Sequence, residues 1–375
     1  MKKMIALVLA LSLLLCGCAG SKPDTAAPST AAPTTEATST PTTEPTTTPT
    51  TEPPTEPAPV YVNPLNGEIL DEPYTGRIFA STVSNTEDAL PHVGVPYADI
   101  LMEMYVSSGV VRCLALFTDI TKVDAIGSTR STRLMFNDIA QHYDAILTHA
   151  GGSDQVLADA KARGIANYNI DSLYRQTDPL AAATAYRDKE HGRYSPHDLF
   201  GYGPGIKAYV ESQGVSTTQP ADKDYYLTFT DDGTPENGET ADKIAIVFGK
   251  QTKQTNMIYN ADFGRYVFNQ YGKEMHDLIS NEYEAFVNVI IMRANLSSSG
   301  IYQVADFVAG GEGYYACGGK IIPIKWSCDS EDSPFRFTTV DGEQLNLGRG
   351  NSYIAIVGTD SPVTWEALET DADAE

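Results

Sequence analysis

The stretch IGSTRSTRLMFNDIAQHYDAILTHAGGS, residues Ile126–Ser153, decides the expected fold of this chain. Apolar side chains recur at helical spacing after Arg133, and residues 144–150 then have the pattern of a buried strand. The turn Gly151-Gly152-Ser153 leaves that strand, and a helix over residues 154–163 and a strand over 165–170 follow. Because strands and helices alternate, the pattern predicts an α/β N-terminal domain with a mostly parallel sheet.

Positive charge is concentrated in the same stretch, in a chain of 375 residues with a formal net charge of −23. Arg130 and Arg133 lie where the helix is expected to begin, and a cation there opposes the helix dipole. A bound anion or an acidic side chain would offset that cost. Two interpretations stay open: an anion site, or structural bridges to Asp124, Asp138 or Glu103.

Strand ends and one loop supply further candidate ligand-binding or catalytic residues. His149, Gly151, Gly152 and Ser153 lie at the carboxyl end of the predicted strand, where ligands collect in parallel sheets. Free N–H groups at the start of the next helix suit an anion. The polar loop of residues 187–198 adds two more candidates, Arg187 and His197. A solvated charged loop is the simpler explanation for either of these two alone, but loops often carry function.

A hairpin precedes this stretch and places two charges in apolar strands. Its two apolar runs flank Ser108-Gly109 and contain Glu103 and Arg112. With Ser108-Gly109 as a two-residue turn, Tyr105 is expected opposite Arg112, and Glu103 diagonal to Arg112 on the same face. The two charges are then either a structural ion pair or part of the site.

The N-terminus predicts a lipid anchor. Residues 1–17 resemble a secretory signal peptide, with an apolar run too short to span a bilayer, and Leu15-Cys16-Gly17-Cys18 matches the bacterial lipobox. Cys18 is then the acylated residue that carries palmitate, with plain secretion as the alternative. Residues 18–59 form a Thr/Pro-rich linker that cannot bury enough surface to fold, and residues 367–375 form an acidic tail. The expected location is the outer face of the cell membrane of a Gram-positive bacterium.

The remaining chain is longer than one core usually organises, so two folded domains are expected, over residues 60–220 and 221–366. The second changes to short strands joined by Gly, Asn and Asp turns, which predicts a mainly-β C-terminal domain of sandwich or barrel-like form. Gly318-Gly319 is expected to be a hairpin turn with Cys317 opposite Lys320, and Gly310–Gly313 a bulge or loop. The acidic composition argues against nucleic-acid binding.

Several runs of this sequence resemble the YerB-like bacterial lipoproteins, over residues 63–357: NPLNG (63–67), ADILME (98–103), VVRCLALF (110–117), IGSTRSTR (126–133), YDAILTHAGGS (143–153), YRD (186–188) and PHDL (196–199). The resemblance implies a membrane-anchored envelope protein with an N-terminal domain of unknown function and a dedicated C-terminal domain. It implies no established activity. Leu90 and Asp198 stand where similar proteins usually have Arg and Asn, which predicts a less positive site.

Three functions stay open. The favoured one is a cell-envelope binding module that holds an anionic or polyhydroxylated ligand in an Arg/His cleft and can bind a protein partner through its β domain. The second is a hydrolase or transferase acting on phosphorylated or glycosidic envelope material, with His149 or His197 as general base. The third is a structural or assembly lipoprotein.

The enzyme hypothesis assigns supporting roles to further residues: Arg130, Arg133 and Arg187 to stabilise charge, and Asp99 or Glu103 to orient the base or bind a metal. The sequence contains no P-loop, no G-x-S-x-G elbow and no H-E-x-x-H pair. No metal site is predicted from the spacing of the histidines, and the cofactor, the ligand and the oligomeric state are left unknown.

Overall fold

A computed structural model describes residues 60–107, 109–250 and 253–368. The predicted signal peptide, Cys18, the linker and most of the acidic tail lie outside these residues. Among the helices of the described residues, none has the length and apolar character needed to cross a membrane.

The strands before residue 220 are β1 (Tyr61–Val62), β2 (Ile69–Leu70), β3 (Phe79–Ser84), β4 (Ile100–Ser107), β5 (Val110–Phe117), β6 (Ile126–Gly127), β7 (Ile146–His149), β8 (Asn167–Asn169), β9 (Ala185–Arg187) and β10 (Leu199–Gly201). The α-helices are α1 (Leu134–His142), α2 (Asp154–Ala162), α3 (Ile170–Leu173), α4 (Pro179–Ala182) and α5 (Gly203–Ser212). Short 3-10 helices span Glu87–Ala89, Val95–Tyr97 and Ile120–Lys122.

The later strands are β11 (Thr228–Thr230), β12 (Glu239–Thr240), β13 (Lys243–Phe248), β14 (Lys253–Asn260), β15 (Arg265–Gln270), β16 (Lys273–Glu274), β17 (Ala285–Phe286), β18 (Asn288–Ser299), β19 (Tyr302–Asp306), β20 (Gly311–Cys317), β21 (Lys320–Ser327), β22 (Arg336–Thr339), β23 (Asn346–Gly348), β24 (Ser352–Gly358) and β25 (Val363–Glu366).

A twelve-stranded sheet runs through both halves of the chain. The late strand β24 lies between β4 and β18 and pairs in parallel with both. On the other side of β4, β5 and β3 continue the sheet in antiparallel order, and β7 and β8 are added in parallel. The described residues, from Val60 on, therefore form one compact unit. The division at residue 220 stays a prediction.

The predicted fold class is wrong. The N-terminal half is not a parallel α/β fold, because its long strands β3, β4 and β5 pair antiparallel and the described chain is mostly β. The strand–helix–strand unit of β7, α2 and β8 exists, but it is a short parallel addition at one edge. The local alternation specified that unit correctly. It could not specify that distant strands would complete the sheet.

Each face of the large sheet is covered by a different layer. Strands β13 to β17 and β25 form a second, six-stranded sheet. Its Ile246 and Phe268 share an apolar cluster with Ile291 of the large sheet. On the opposite face, apolar side chains of α1 such as Phe136 pack in a second cluster that contains Met104 of β4.

The β20–β21 hairpin confirms one local prediction and corrects another. Gly318 and Gly319 have φ values of +59° and +76°, and Cys317 pairs with Lys320. The segment expected to be a bulge or loop instead begins β20 at Gly311. A Cβ atom on Gly313 would lie 2.2 Å from the carbonyl oxygen of Ile291, so glycine permits this close strand approach.

The β4–β5 hairpin has a register that differs by one residue from the predicted one. Ser107 pairs with Val110 as expected, but the register shifts between Tyr105 and Ser107, so that Tyr105 pairs with Val111 and Met104 with Arg112. A bulge of this kind moves every side chain beyond it to the other face. The predicted diagonal contact of Glu103 with Arg112 is therefore wrong, because the two side chains lie on opposite faces of the sheet.

Candidate functional site

Three arginines meet at the loop that enters α1, and we call Arg112, Arg130 and Arg133 the arginine cluster. Arg112 projects from β5 on the face that α1 covers, and its Nη1 donates to the carbonyl oxygen of Ser131 at 2.6 Å. The Nη1 of Arg133 donates to the same oxygen at 3.4 Å and to that of Thr132 at 2.7 Å. Because two guanidinium nitrogens share one oxygen, they cannot be farther apart than the sum of their two distances to it.

The loop that carries the cluster is held by the turn after β7. Thr132 N donates to Gly151 O at 2.9 Å, and Ala150 N donates to Arg130 O at 2.9 Å. The Ser131 hydroxyl donates to Ala150 O at 3.1 Å. Ser153 itself caps α2, since its hydroxyl accepts from Val156 N. The predicted Gly-Gly-Ser turn therefore supports the arginine loop through its backbone.

No carboxylate oxygen lies within 4.0 Å of the arginine cluster in the described part of the chain. The cluster's hydrogen bonds instead go to backbone carbonyls, including that from Arg130 Nη1 to Pro196 O at 3.2 Å. Arg163 shows the usual alternative, with its guanidinium 2.7 Å from Asp138 and 3.4 Å from Asp159. Three neighbouring cations without an acid are unexpected in so acidic a protein.

Burial makes this positive charge costly. Arg112 is only 5% exposed. Burial, with Arg133 and Arg130 nearby, lowers the pKa of Arg112, and burial also lowers the pKa values of Arg130 and Arg133. A guanidinium nevertheless stays charged at neutral pH. Two unit charges about 6 Å apart repel by about 3 kcal/mol at an effective dielectric constant of about 20, a cost that a bound anion would offset.

Tyr302 belongs to this site, and the sequence did not indicate it. The Arg133 guanidinium carbon lies 5.5 Å from the centroid of the Tyr302 ring. Tyr302 opens β19 in the C-terminal half and pairs with Ser107 at the end of β4. No local pattern marks this tyrosine, because its position depends on the long β18–β19 hairpin reaching back to β4.

His149 lies beside the supporting turn but is fully buried. Its Nε2 is 3.3 Å from the Asn167 side-chain oxygen, and its Nδ1 has no hydrogen-bond partner among the described residues. Burial lowers the pKa of His149, against the effect of Asn167. The structure therefore places a neutral imidazole behind the loop, at the carboxyl end of β7.

Arg187 and His197 flank Arg130, and unlike the arginine cluster both have acidic side chains nearby. Arg187 contacts Asp171 at 2.6 Å and also bridges to Asp198. Burial lowers the pKa of Arg187, but hydrogen bonds to Tyr174 and Asp198 outweigh burial and raise it. Burial, with Arg130 nearby, lowers the pKa of His197. Arg187 is thus neutralised within the protein, whereas the arginine cluster is not.

Glu103 lies in the interior on the other face of the sheet. Its carboxylate is 3.0 Å from Lys253 Nζ and accepts from Tyr353 OH at 2.6 Å, from Thr255 Oγ1 at 2.9 Å and from Asn85 Nδ2 at 2.7 Å. These partners join β4 to β14 and β24. Glu103 therefore belongs to an internal network between the two halves.

Asp99 is likewise engaged in a local structure. Its carboxylate accepts hydrogen bonds from the side chains of Asn63 and Asn66 and from Thr118. Burial raises the pKa of Asp99, against the effect of Thr118. These bonds secure the loop of residues 63–67 against the start of β4, while Arg112 pairs near the far end of that strand.

The predicted Arg/His cleft stays a prediction. A cavity of about 590 Å³ lies between the two sheets, and Tyr105 is one of its lining residues. The charged residues that line this cavity are Lys250 and Asp360. The arginine cluster is not part of that cavity. Among the described residues, no group of three or more His, Cys, Asp or Glu side chains is placed to hold a metal ion.

Comparison with known proteins identifies a matching family, a similar sequence and a similar fold. Residues 65–216 match the N-terminal domain, and residues 244–354 the C-terminal domain, of a family described as a protein of unknown function (DUF3048). The chain is 25% identical over 305 residues to "Putative lipoprotein YerB" of Bacillus subtilis (strain 168), covering 78% of this chain and 85% of that protein. The crystal structure of YerB protein from Bacillus subtilis matches with a TM-score of 0.68 at 21% identity, covering 81% of this chain and 99% of that one, which supports the fold alone.

Proposed function

Since the chain belongs to the DUF3048 family, as its resemblance to the YerB-like lipoproteins predicted, we propose that it is an envelope lipoprotein that binds an anionic ligand at the arginine cluster. One observation carries the proposal. The buried guanidinium of Arg112 shares the Ser131 carbonyl oxygen with that of Arg133, and Arg130 is near enough to contribute to the lowered pKa of Arg112. None of the three has a carboxylate partner in the described residues. A ligand supplies the negative charge that the fold does not.

Anchoring rests on the N-terminus and on the relative. The relative's name describes a lipoprotein, and Cys18 of this chain follows a lipobox. Two acyl chains on one cysteine are enough for stable membrane attachment without a spanning helix. The Cys18→Ser variant should leave the membrane fraction after cell lysis, and its persistence there after a high-salt wash would contradict the anchor.

The position of His149 argues against a catalytic role for this histidine. A general base must reach the proton that it removes, but His149 is 0% exposed and one of its ring nitrogens already faces Asn167. The purely structural alternative is supported at Arg163 and Arg187, which bridge to acids. It does not account for the arginine cluster.

Sulfate titration of the full-length chain in detergent tests the proposal. Sulfate should raise the unfolding temperature at constant ionic strength, because a ligand that binds only the native state stabilises by about 2.7 kcal/mol at a hundredfold excess over Kd. Arg133→Gln should abolish the shift. Arg265→Gln is the matched control, since Arg265 is an exposed arginine at the start of β15. Equal shifts in all three proteins would contradict the site.

A further inference from the structure

The charge and spacing of the arginine cluster also bear on the class of anion, an inference that rests on the proposed function. We propose that the cluster takes a compact tetrahedral dianion, the terminal phosphate of a phosphate monoester, rather than a carboxylate or an internal phosphodiester.

Charge balance favours two negative charges. Arg112, Arg130 and Arg133 all lack an acid within the described residues, and Arg112 is too buried for mobile counterions to screen it well. A carboxylate or a phosphodiester carries one negative charge and leaves two of the three cations unbalanced. A phosphate monoester carries about −1.5 to −2 at pH 7 and leaves about one.

Spacing favours a single compact group. The Nη1 atoms of Arg112 and Arg133 both donate to the Ser131 carbonyl oxygen, at 2.6 and 3.4 Å. Nitrogens held this close can donate to different oxygens of one oxyanion, and bonds between guanidinium and phosphate are among the strongest in proteins. The Nε of Arg133 is buried and has no partner among the described residues, so a donor is left for such a group.

The surroundings disfavour a polymer with many negative charges. Next to Arg130, Arg187 is already bridged to Asp171 and Asp198. Because Asp171 and Asp198 lie on the Arg187 side of the cluster, a chain of phosphodiesters that continued towards Arg187 would carry its next charges towards carboxylates. A terminal phosphate places both of its charges in the cluster.

Tyr302 limits the direction from which an anion can approach Arg133. Its ring covers the Arg133 guanidinium at 5.5 Å. A charged group therefore reaches Arg133 from the edge of the guanidinium plane, where the N–H donors point. That is the geometry in which arginine donates two parallel hydrogen bonds to a phosphate.

Calorimetric titration of the full-length chain in detergent tests this class with four probes: methyl phosphate, dimethyl phosphate, sulfate and acetate. At pH 7, methyl phosphate and sulfate should bind at least tenfold more tightly than dimethyl phosphate or acetate. Lowering the pH from 7 to 5 should weaken the binding of methyl phosphate about tenfold, because the second ionisation of methyl phosphate has a pKa of about 6. Sulfate stays doubly charged, so the affinity for sulfate should change less than twofold.

Sulfate also controls for the titration of protein groups near the cluster, namely His197, Asp88, Asp188 and Asp198 with its neighbour Asp171. Their protonation would alter sulfate and methyl phosphate affinity alike. Equal affinity for methyl and dimethyl phosphate would overturn the monoester inference and leave an anion site standing. Failure of all four probes to bind would remove the proposed function itself.

Discussion

Glu103 and Arg112 lie on neighbouring strands of one sheet and are both buried, but only Glu103 has a partner of opposite charge among the described residues. Glu103 points towards the second sheet, where Lys253, Tyr353, Thr255 and Asn85 surround its carboxylate. Arg112 points to the face of α1, where its partner is a backbone carbonyl and its neighbours are two more arginines.

Under the proposed function, the difference separates a structural charge, Glu103, from a ligand-binding one, Arg112. A buried charge that is paired inside the protein links elements, here the two halves of the chain. A buried charge that the protein leaves unpaired costs stability, and a ligand can recover that cost. Burial alone would not have distinguished the two residues, because Glu103 and Arg112 are 0% and 5% exposed.

The largest expected effect is on the internal pair. Glu103→Gln should lower the free energy of unfolding by about 3–5 kcal/mol, because it leaves the Lys253 ammonium buried without its counter-charge. Urea denaturation measures the change. Adding Lys253→Met should recover part of the loss, since the pair is then removed together. A cost below about 1 kcal/mol for Glu103→Gln would place Glu103 in the same class as Arg112.

The matching change in the arginine cluster should mainly affect binding. Arg112→Met should weaken sulfate binding ten- to hundredfold, the loss of one charge-assisted hydrogen bond of about 1.5–3 kcal/mol. Its free energy of unfolding without ligand should change by less than about 1.5 kcal/mol, because relief of repulsion from Arg133 offsets the lost bond to Ser131. Severe destabilisation with unchanged sulfate affinity would identify Arg112 as structural.

His142 illustrates a third outcome, a buried group that stays neutral. Burial, with Arg163 and Lys223 nearby, lowers the pKa of His142 to about 4 from its usual 6.5. The unfolded chain therefore takes up a proton as the pH falls below 6.5 while the folded chain does not, so His142 makes the protein less stable between pH 6.5 and 4.

Asp138 acts in the opposite direction over much of the same range. Burial raises its pKa to about 6, so stability rises as the pH falls from 6 towards 3.8. The variant His142→Gln isolates the effect of His142, and its stability relative to the parent chain should rise by about 2–3 kcal/mol as the pH falls from 7.5 to 4.5. Urea denaturation at both pH values measures the difference, and a constant difference would contradict the assignment.

The smallest effect is expected at Arg187. Its bridges to Asp171 and Asp198 already balance its charge, so Arg187→Gln should change sulfate affinity less than about threefold, or about 0.7 kcal/mol. The titration that serves for Arg112→Met measures it. A loss as large as that of Arg112→Met would extend the ligand site to the loop of residues 187–198.

Much of the local structure was predictable from short-range patterns. The helix after Arg133, the strand ending at His149, the Gly-Gly-Ser turn and the Gly318-Gly319 hairpin all follow from residues close together in the chain. Each depends on hydrophobic period, capping or turn chemistry, which act over a few residues.

The candidate site was predictable in part, for the same reason. Arg130 and Arg133 were expected at the start of a helix, but α1 begins only at Leu134, so both arginines lie in the loop before it. Tyr302 was not expected at the site, because it reaches Arg133 only through a hairpin far along the chain. Glu103 was assigned the wrong partner, because one bulged residue near Tyr105 reverses the face of every side chain beyond it.

The sequence by itself determined the kinds of local elements, the predicted lipid anchor and the concentration of arginines before α1, since these depend on neighbouring residues and composition. Only the tertiary structure decided that β24 lies between β4 and β18, that Lys253 neutralises Glu103, and that no described acid neutralises Arg112. Strand partners and charge partners are chosen across distant segments by packing of the whole core. The α/β prediction was based on one strand–helix–strand unit, and this local pattern contains no information about the distant strands that complete the sheet.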